Sequence, residues 1–133
     1  MLVLIVAFMA GCSTPAHHAI IGTWQSDTEQ TLQSMHQVAD LPAETRSHFE
    51  NDYYGHLIVE YRADTLRARF DNSNYDTGYQ PYKVIEVSED KIVTSEWNEI
   101  LQIFETSTTY IDGVCIYGIS AQYAYREYFC PFE

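Results

Sequence analysis

The sequence predicts a mainly β fold: an antiparallel up-and-down meander closing into a small barrel, with a helical pair between the first and second strands. Three observations carry this expectation. From His56 onward, apolar and polar residues alternate with period two, as half-buried strands require. Clusters of Gly, Asp, Asn and Ser recur between these runs at hairpin intervals. Helical periodicity is confined to the stretch from Ser26 to Asn51. The alternative is an α+β fold in which a curved sheet wraps the helices into a cone.

The first strand is Ile20-Ile21-Gly22-Thr23-Trp24. Ser26-Asp27-Thr28-Glu29 has the pattern of a capping box, with Ser26 capping the Glu29 amide. Leu32, Met35 and Val38 then form one apolar stripe on a helix over 27–39. Pro42 cannot continue that helix but suits the first turn of a second, over 42–51. Phe49 and Tyr53 are expected on its inner side, and Gly55 ends the pair. Strands follow over 57–61 and 65–70, then a loop of turn formers at Asp71-Asn72-Ser73-Asn74. Segments 82–87 and 91–97 flank Ser88-Glu89-Asp90 as a hairpin, and 100–104 with the Thr-rich continuation to 111 gives one or two strands more. Asp112-Gly113 is the strongest tight-turn signal, of type I′, and 114–119 and 125–129 complete the chain. Seven or eight such strands remove their exposed edges by closing into a barrel.

The N-terminus speaks to location. Residues 1–10 are apolar, about half the ~20 residues of a membrane-spanning helix, and match a signal-peptide core. Met9-Ala10-Gly11-Cys12 resembles the lipobox of bacterial lipoproteins. That resemblance implies removal of residues 1–11, lipidation of Cys12, a tether over 12–19 and a single globular domain over 20–133. Ser13 follows the cysteine where Asp would resemble an inner-membrane retention signal, so the resemblance implies the outer membrane, facing the periplasm. The alternative is an apolar strand or helix with Cys12 as an ordinary buried thiol.

With Cys12 assigned to lipid, Cys115 and Cys130 remain as a pair, and an oxidising compartment would permit their bridge. Their midpoint falls between Gln122 and Tyr123, near the centre of a predicted hairpin loop. That register sets Cys115 against Cys130, Tyr117 against Tyr128 and Ile119 against Arg126.

Gly22-Thr23-Trp24 at the first strand, with Arg126 in the last, resembles the Gly-x-Trp and closing Arg of the calycin group, the lipocalins and fatty-acid-binding proteins. The helical pair is similar to the lid of fatty-acid-binding proteins. The resemblance implies a carrier of a small apolar or amphipathic ligand, with Gly22, Trp24 and Arg126 as a structural clasp at the closed end. Of eleven tyrosines, Tyr61, Tyr82, Tyr117, Tyr125 and Tyr128 fall on predicted strands and are the candidate ligand contacts. Exposed sheet faces, which also favour tyrosine, are the plainer reading.

Seven basic against nineteen acidic residues give a formal charge of −12. That charge opposes a phosphate backbone, so nucleic acid is not expected as a partner. It would steer a basic protein or a cationic molecule toward the chain, and a module that inhibits a basic hydrolase such as lysozyme, or that serves envelope assembly, is the alternative function. No Gly-x-Ser-x-Gly and no His-Glu-x-x-His occurs. His17-His18 sit in the tether, and His36, His48 and His56 show no converging spacing. Asn72-x-Asn74-x-Asp76 departs from a calcium loop, with Gly78 one place late and Lys83 at the position of the bidentate Glu. Glu50/Asp52 and Glu96/Glu99 are acidic pairs with no sequence sign of burial. The expectation is therefore binding without catalysis, with no catalytic residue, metal or cofactor.

Overall fold

The computed structural model describes residues 16–132; the lipobox and Cys12 lie outside the described residues. A short helix α1 (Ala16–Ile20) leads into β1 (Gly22–Ser26), helices α2 (Thr28–Met35) and α3 (Ala43–Glu50), and then β2 (Leu57–Tyr61) and β3 (Thr65–Phe70). The chain continues as β4 (Gln80–Val87), β5 (Lys91–Asn98), β6 (Ile103–Asp112), β7 (Cys115–Ile119) and β8 (Arg126–Pro131). Each strand pairs antiparallel with the next, and β8 returns to β1, closing an eight-stranded barrel. This is the predicted meander, compatible with the calycin resemblance, and its closure displaces the cone alternative.

Alternation decides what fills the barrel. Trp24, Tyr61, Tyr82, Ile92 and Ile116 point inward and pack with Ile20, Val59, Leu66, Val84, Ile111 and Phe129. Ile20, with no exposed surface, plugs the lower end. Residues 16–19 are thus in α1 rather than in a tether, and His17 Nε2 lies 2.9 Å from the Tyr82 hydroxyl. A second cluster at the other end joins Met35, Leu41, Tyr54 and Tyr125, with Leu32, Val38 and Phe49 packed against it. The helical pair and the loops beside it therefore form a lid over the upper mouth.

Several local expectations are corrected. Asp27, not Ser26, caps α2: its carboxylate accepts the Gln30 amide at 2.9 Å. Ser26 is the last residue of β1, and its Oγ instead accepts the Gly55 N–H at 3.0 Å. Gly55 has φ +94°, and a Cβ there would stand 2.6 Å from Thr28 Oγ1, so glycine is required twice over. Residues 100–102 form the β5–β6 turn, closed by Asn98 Oδ1 accepting the Leu101 amide and by Gln102 at φ 56°. The β6–β7 turn is shifted by one residue. Asp112 pairs with Cys115, leaving Gly113-Val114 as the loop, with positive φ only at Gly113. That is the requirement of type II′ rather than type I′.

The β7–β8 register is as expected, with Tyr117 opposite Tyr128, Ile119 opposite Arg126, and Cys115 disulfide-bonded to Cys130. The upper part of β8 has no strand beside it on the β1 side, because β1 pairs only with Phe129, Cys130 and Pro131. Helix α2 takes that place. Thr31 Oγ1 and Ser34 Oγ accept the amides of Tyr128 and Arg126, and the Asp27 amide donates to the Tyr128 carbonyl. A helix thus completes the hydrogen bonding of a strand edge that would otherwise be bare.

Candidate functional site

The barrel interior grades from apolar to polar along its axis. Above the Trp24–Ile92 cluster lie Thr94 and Thr109, both buried, and then the inward cross-strand pair Glu96 and Glu105. Burial raises the Glu96 carboxyl above its ordinary range, while Thr94 Oγ1, which donates to it at 3.0 Å, and the Tyr61 hydroxyl favour its charged form. Desolvation likewise drives the Tyr61 phenol upward, so it remains a neutral donor.

Two cavities open at the upper mouth. One, of about 490 Å³, lies beside the β5–β6 hairpin and is lined by Tyr75, Glu96, Trp97, Asn98 and Glu105 among others. It borders the sparsest seam of the barrel, where β3 and β4 share only the pairs Thr65–Pro81 and Leu66–Gln80. The other, of about 310 Å³, lies beneath the helical lid and is lined by Tyr53, Tyr54, Leu57, Phe70, Tyr125 and Glu127, with Ser26 at its edge. Tyr54 and Tyr125 are buried and hydrogen-bond to each other through their hydroxyls, and Phe49 packs on both rings. Burial and that hydrogen bond push the Tyr54 phenol far above its ordinary value.

The five tyrosines expected to line the lumen are divided among three places. Tyr61 and Tyr82 meet edge-to-face inside the barrel, 5.5 Å between centroids. Tyr125 lies under the lid. Tyr117 and Tyr128 lie on the outer face, because their neighbours Ile116 and Phe129 take the inward positions. The Trp24–Arg126 clasp does not form. Trp24 pairs with Pro131, at the opposite end of β8 from Arg126, and its indole N–H donates to the Ile20 carbonyl at 2.8 Å. Arg126 instead covers the outer face of Tyr117 at 4.4 Å and donates to the Tyr128 hydroxyl. Gly22 keeps its place at the start of β1, opposite Tyr61.

Comparison with protein-family models, curated proteins and solved structures finds no match to this chain.

Function must therefore be argued from geometry. The histidines do not converge: His36 pairs with Glu50, His48 stacks near Phe49 and Tyr53, and His56 sits between two aspartates. Asp76, in the loop once compared with a calcium site, is bound by Arg67 and accepts the Gly78 amide. Arg67 holds its carboxyl well below the usual range. Among the described residues no group of three His, Cys, Asp or Glu side chains is arranged to hold a metal ion.

His56 ties the lid to the barrel. Its Nε2 is 2.9 Å from Asp52, just after α3, and its Nδ1 is 2.7 Å from Asp71, just after β3. Both partners are acceptors, so both ring nitrogens donate, as only the imidazolium can. The hydrogen bond to Asp52, then that to Asp71, raises the His56 pKa above its ordinary value. A raised folded pKa contributes stability that is full below the unfolded value and is lost as pH rises through the folded one. The melting temperature is therefore expected to fall as pH climbs above about 6.5, and His56→Gln should flatten that slope. A parent and variant with superimposable pH profiles would remove the strap.

Glu127, Tyr53, Tyr54 and Phe70 were not among the sequence candidates. The signal for Glu127 was available: period two on the last strand puts it on the same face as Phe129. Tyr53, expected on the inner side of the second helix, lies exposed in the turn before β2, and Tyr54 beside it carried no such pattern.

Proposed function

We propose that this barrel is a non-enzymatic binding domain, a lipocalin-like carrier or sensor of a small amphipathic ligand, held at the periplasmic face of the outer membrane through a lipid on Cys12. The observation that carries the reading is the cavity beneath the lid. It combines an aromatic wall shared by lid and barrel with a rim of polar groups, the make-up of a small-molecule site. The test is to express residues 13–133 in the periplasm and record a native mass spectrum. A discrete added mass that disappears on denaturation is expected, whereas a clean protein mass would count against the carrier.

A second reading, an acidic module for a basic protein, draws support from the β5–β6 hairpin. Its tip exposes Ile100, Leu101 and Phe104 beside Trp97, and Glu99 and Glu105 flank them. Exposed apolar residues ringed by charge are a common makeup of protein-binding surfaces. Ionic strength separates the readings. Capture of a basic hydrolase such as lysozyme should weaken steeply with salt, while an amphipathic ligand should stay bound.

A further inference from the structure

Glu127 lies on the inward face of β8, in step with Tyr125 and Phe129 and opposite Gly118 of β7, which has no side chain to meet it. Burial alone raises its carboxyl above the ordinary range; no hydroxyl, amide or cation of the described residues takes its oxygens. Glu96, a half-buried carboxyl on the inward face of β5, accepts instead from Thr94 Oγ1 at 3.0 Å. The Glu127 side chain is half-buried, and withdrawing a carboxylate even partly from water is costly where no partner replaces the lost hydration. Tyr54 and Tyr125, which line the same cavity, hydrogen-bond to each other and neither bonds to Glu127.

What surrounds Glu127 is aromatic. Tyr53, Tyr54, Tyr125 and Phe70 line the same cavity of about 310 Å³. Ring faces attract cations, most strongly where water is excluded, and a cage of rings is a recurrent means of holding an alkylated ammonium. One carboxylate among rings suits a single diffuse positive charge. It does not suit a hard divalent ion, which demands six or more oxygens for calcium or a near-octahedral shell for magnesium. The formal charge of −12 adds a long-range field that draws cations in.

We propose that the cavity between the helical lid and the barrel mouth binds an organic ammonium ligand, with Glu127 as its counter-ion and Tyr53, Tyr54, Tyr125 and Phe70 as its aromatic wall. The proposal rests on the carrier reading and names its ligand class.

The test is calorimetric titration of the full chain with three probes of equal chain length: hexyltrimethylammonium, hexanol and hexanoate. The ammonium probe should bind about tenfold or more tightly than the alcohol, a margin within reach of cation–π and ionic contacts, and hexanoate should be rejected. Glu127→Gln should erase that preference and Glu127→Asp should keep most of it. Glu127→Gln removes a half-buried carboxylate that has no partner among the described residues, so its melting temperature should be no lower than the parent's. If it fails to fold, the parent's ranking of the three probes decides. Equal binding of ammonium and alcohol to parent and Glu127→Gln overturns the ammonium assignment and leaves the carrier reading standing. No binding of any probe overturns both.

Discussion

Replacing Trp24 with alanine is expected to lower the unfolding free energy by about 3–5 kcal/mol, the range for a large aromatic lost from a packed core. The indole is only 7% exposed and packs with Ile20, Tyr61, Tyr82, Ile92 and Ile116. It also donates to the Ile20 carbonyl at the end of α1, so truncation leaves both a hole and an acceptor without its donor. The second effect can be isolated. Trp24→Phe fills most of the hole but cannot donate, and should cost about 1–3 kcal/mol, the range for a buried group left unsatisfied. Urea unfolding followed by far-ultraviolet circular dichroism reports both, since neither variant depends on Trp24 fluorescence. A Trp24→Ala protein with the parent's midpoint would remove Trp24 as the centre of the lower core. The loss should leave the lid cavity intact, because Trp24 belongs to the cluster at the opposite end.

Strands were legible in this sequence wherever one face is wet. Val59 and Tyr61 pack in the barrel core as period two predicts, although Ile58 between Leu57 and Val59 is buried as well. The β7–β8 register was legible because two cysteines and two tyrosines fall symmetrically about one loop. The apolar residues at 100–101 misled for a physical reason: composition favours a strand, yet they form a turn that exposes Ile100 almost completely. Burial is the usual fate of such residues, and a projecting apolar tip has no local signature. The Trp24–Arg126 clasp failed on geometry of another kind. A short motif at two chain ends fixes neither strand length nor tilt, and β8 is long enough to hold the two residues apart. The lid cavity was the least legible part. It brings together the end of β1, the turn after α3 running into β2, the end of β3 and the start of β8, four segments distant in sequence.

Removing the Cys115–Cys130 disulfide is expected to cost about 3 kcal/mol by the chain-entropy model for a loop of this size. The bridge closes fifteen residues, from the start of β7 through the turn to β8. For a domain of this length that corresponds to a melting temperature lower by about 10 °C. Cys115→Ala/Cys130→Ala, melted beside the oxidised parent, measures it, and a difference of less than a degree would show that the bridge is incidental. The position of the bond predicts more than its size. Gln30 of α2 donates to the Cys130 sulfur at 3.2 Å and approaches Cys115 at 3.7 Å, so the bridge is also a docking point for the lid. The hairpin it closes carries Tyr125 and Glu127 into the lid cavity. Loss of the bond should therefore loosen the cavity wall before the barrel unfolds. Amide exchange should report this as faster exchange at Arg126 and Tyr128, whose amides are held by Ser34 and Thr31 of α2. Uniformly faster exchange across the barrel would instead place the whole effect in the unfolded chain, where the entropic model puts it. The two patterns distinguish a bond that restrains only the unfolded ensemble from one that also holds the lid to β8.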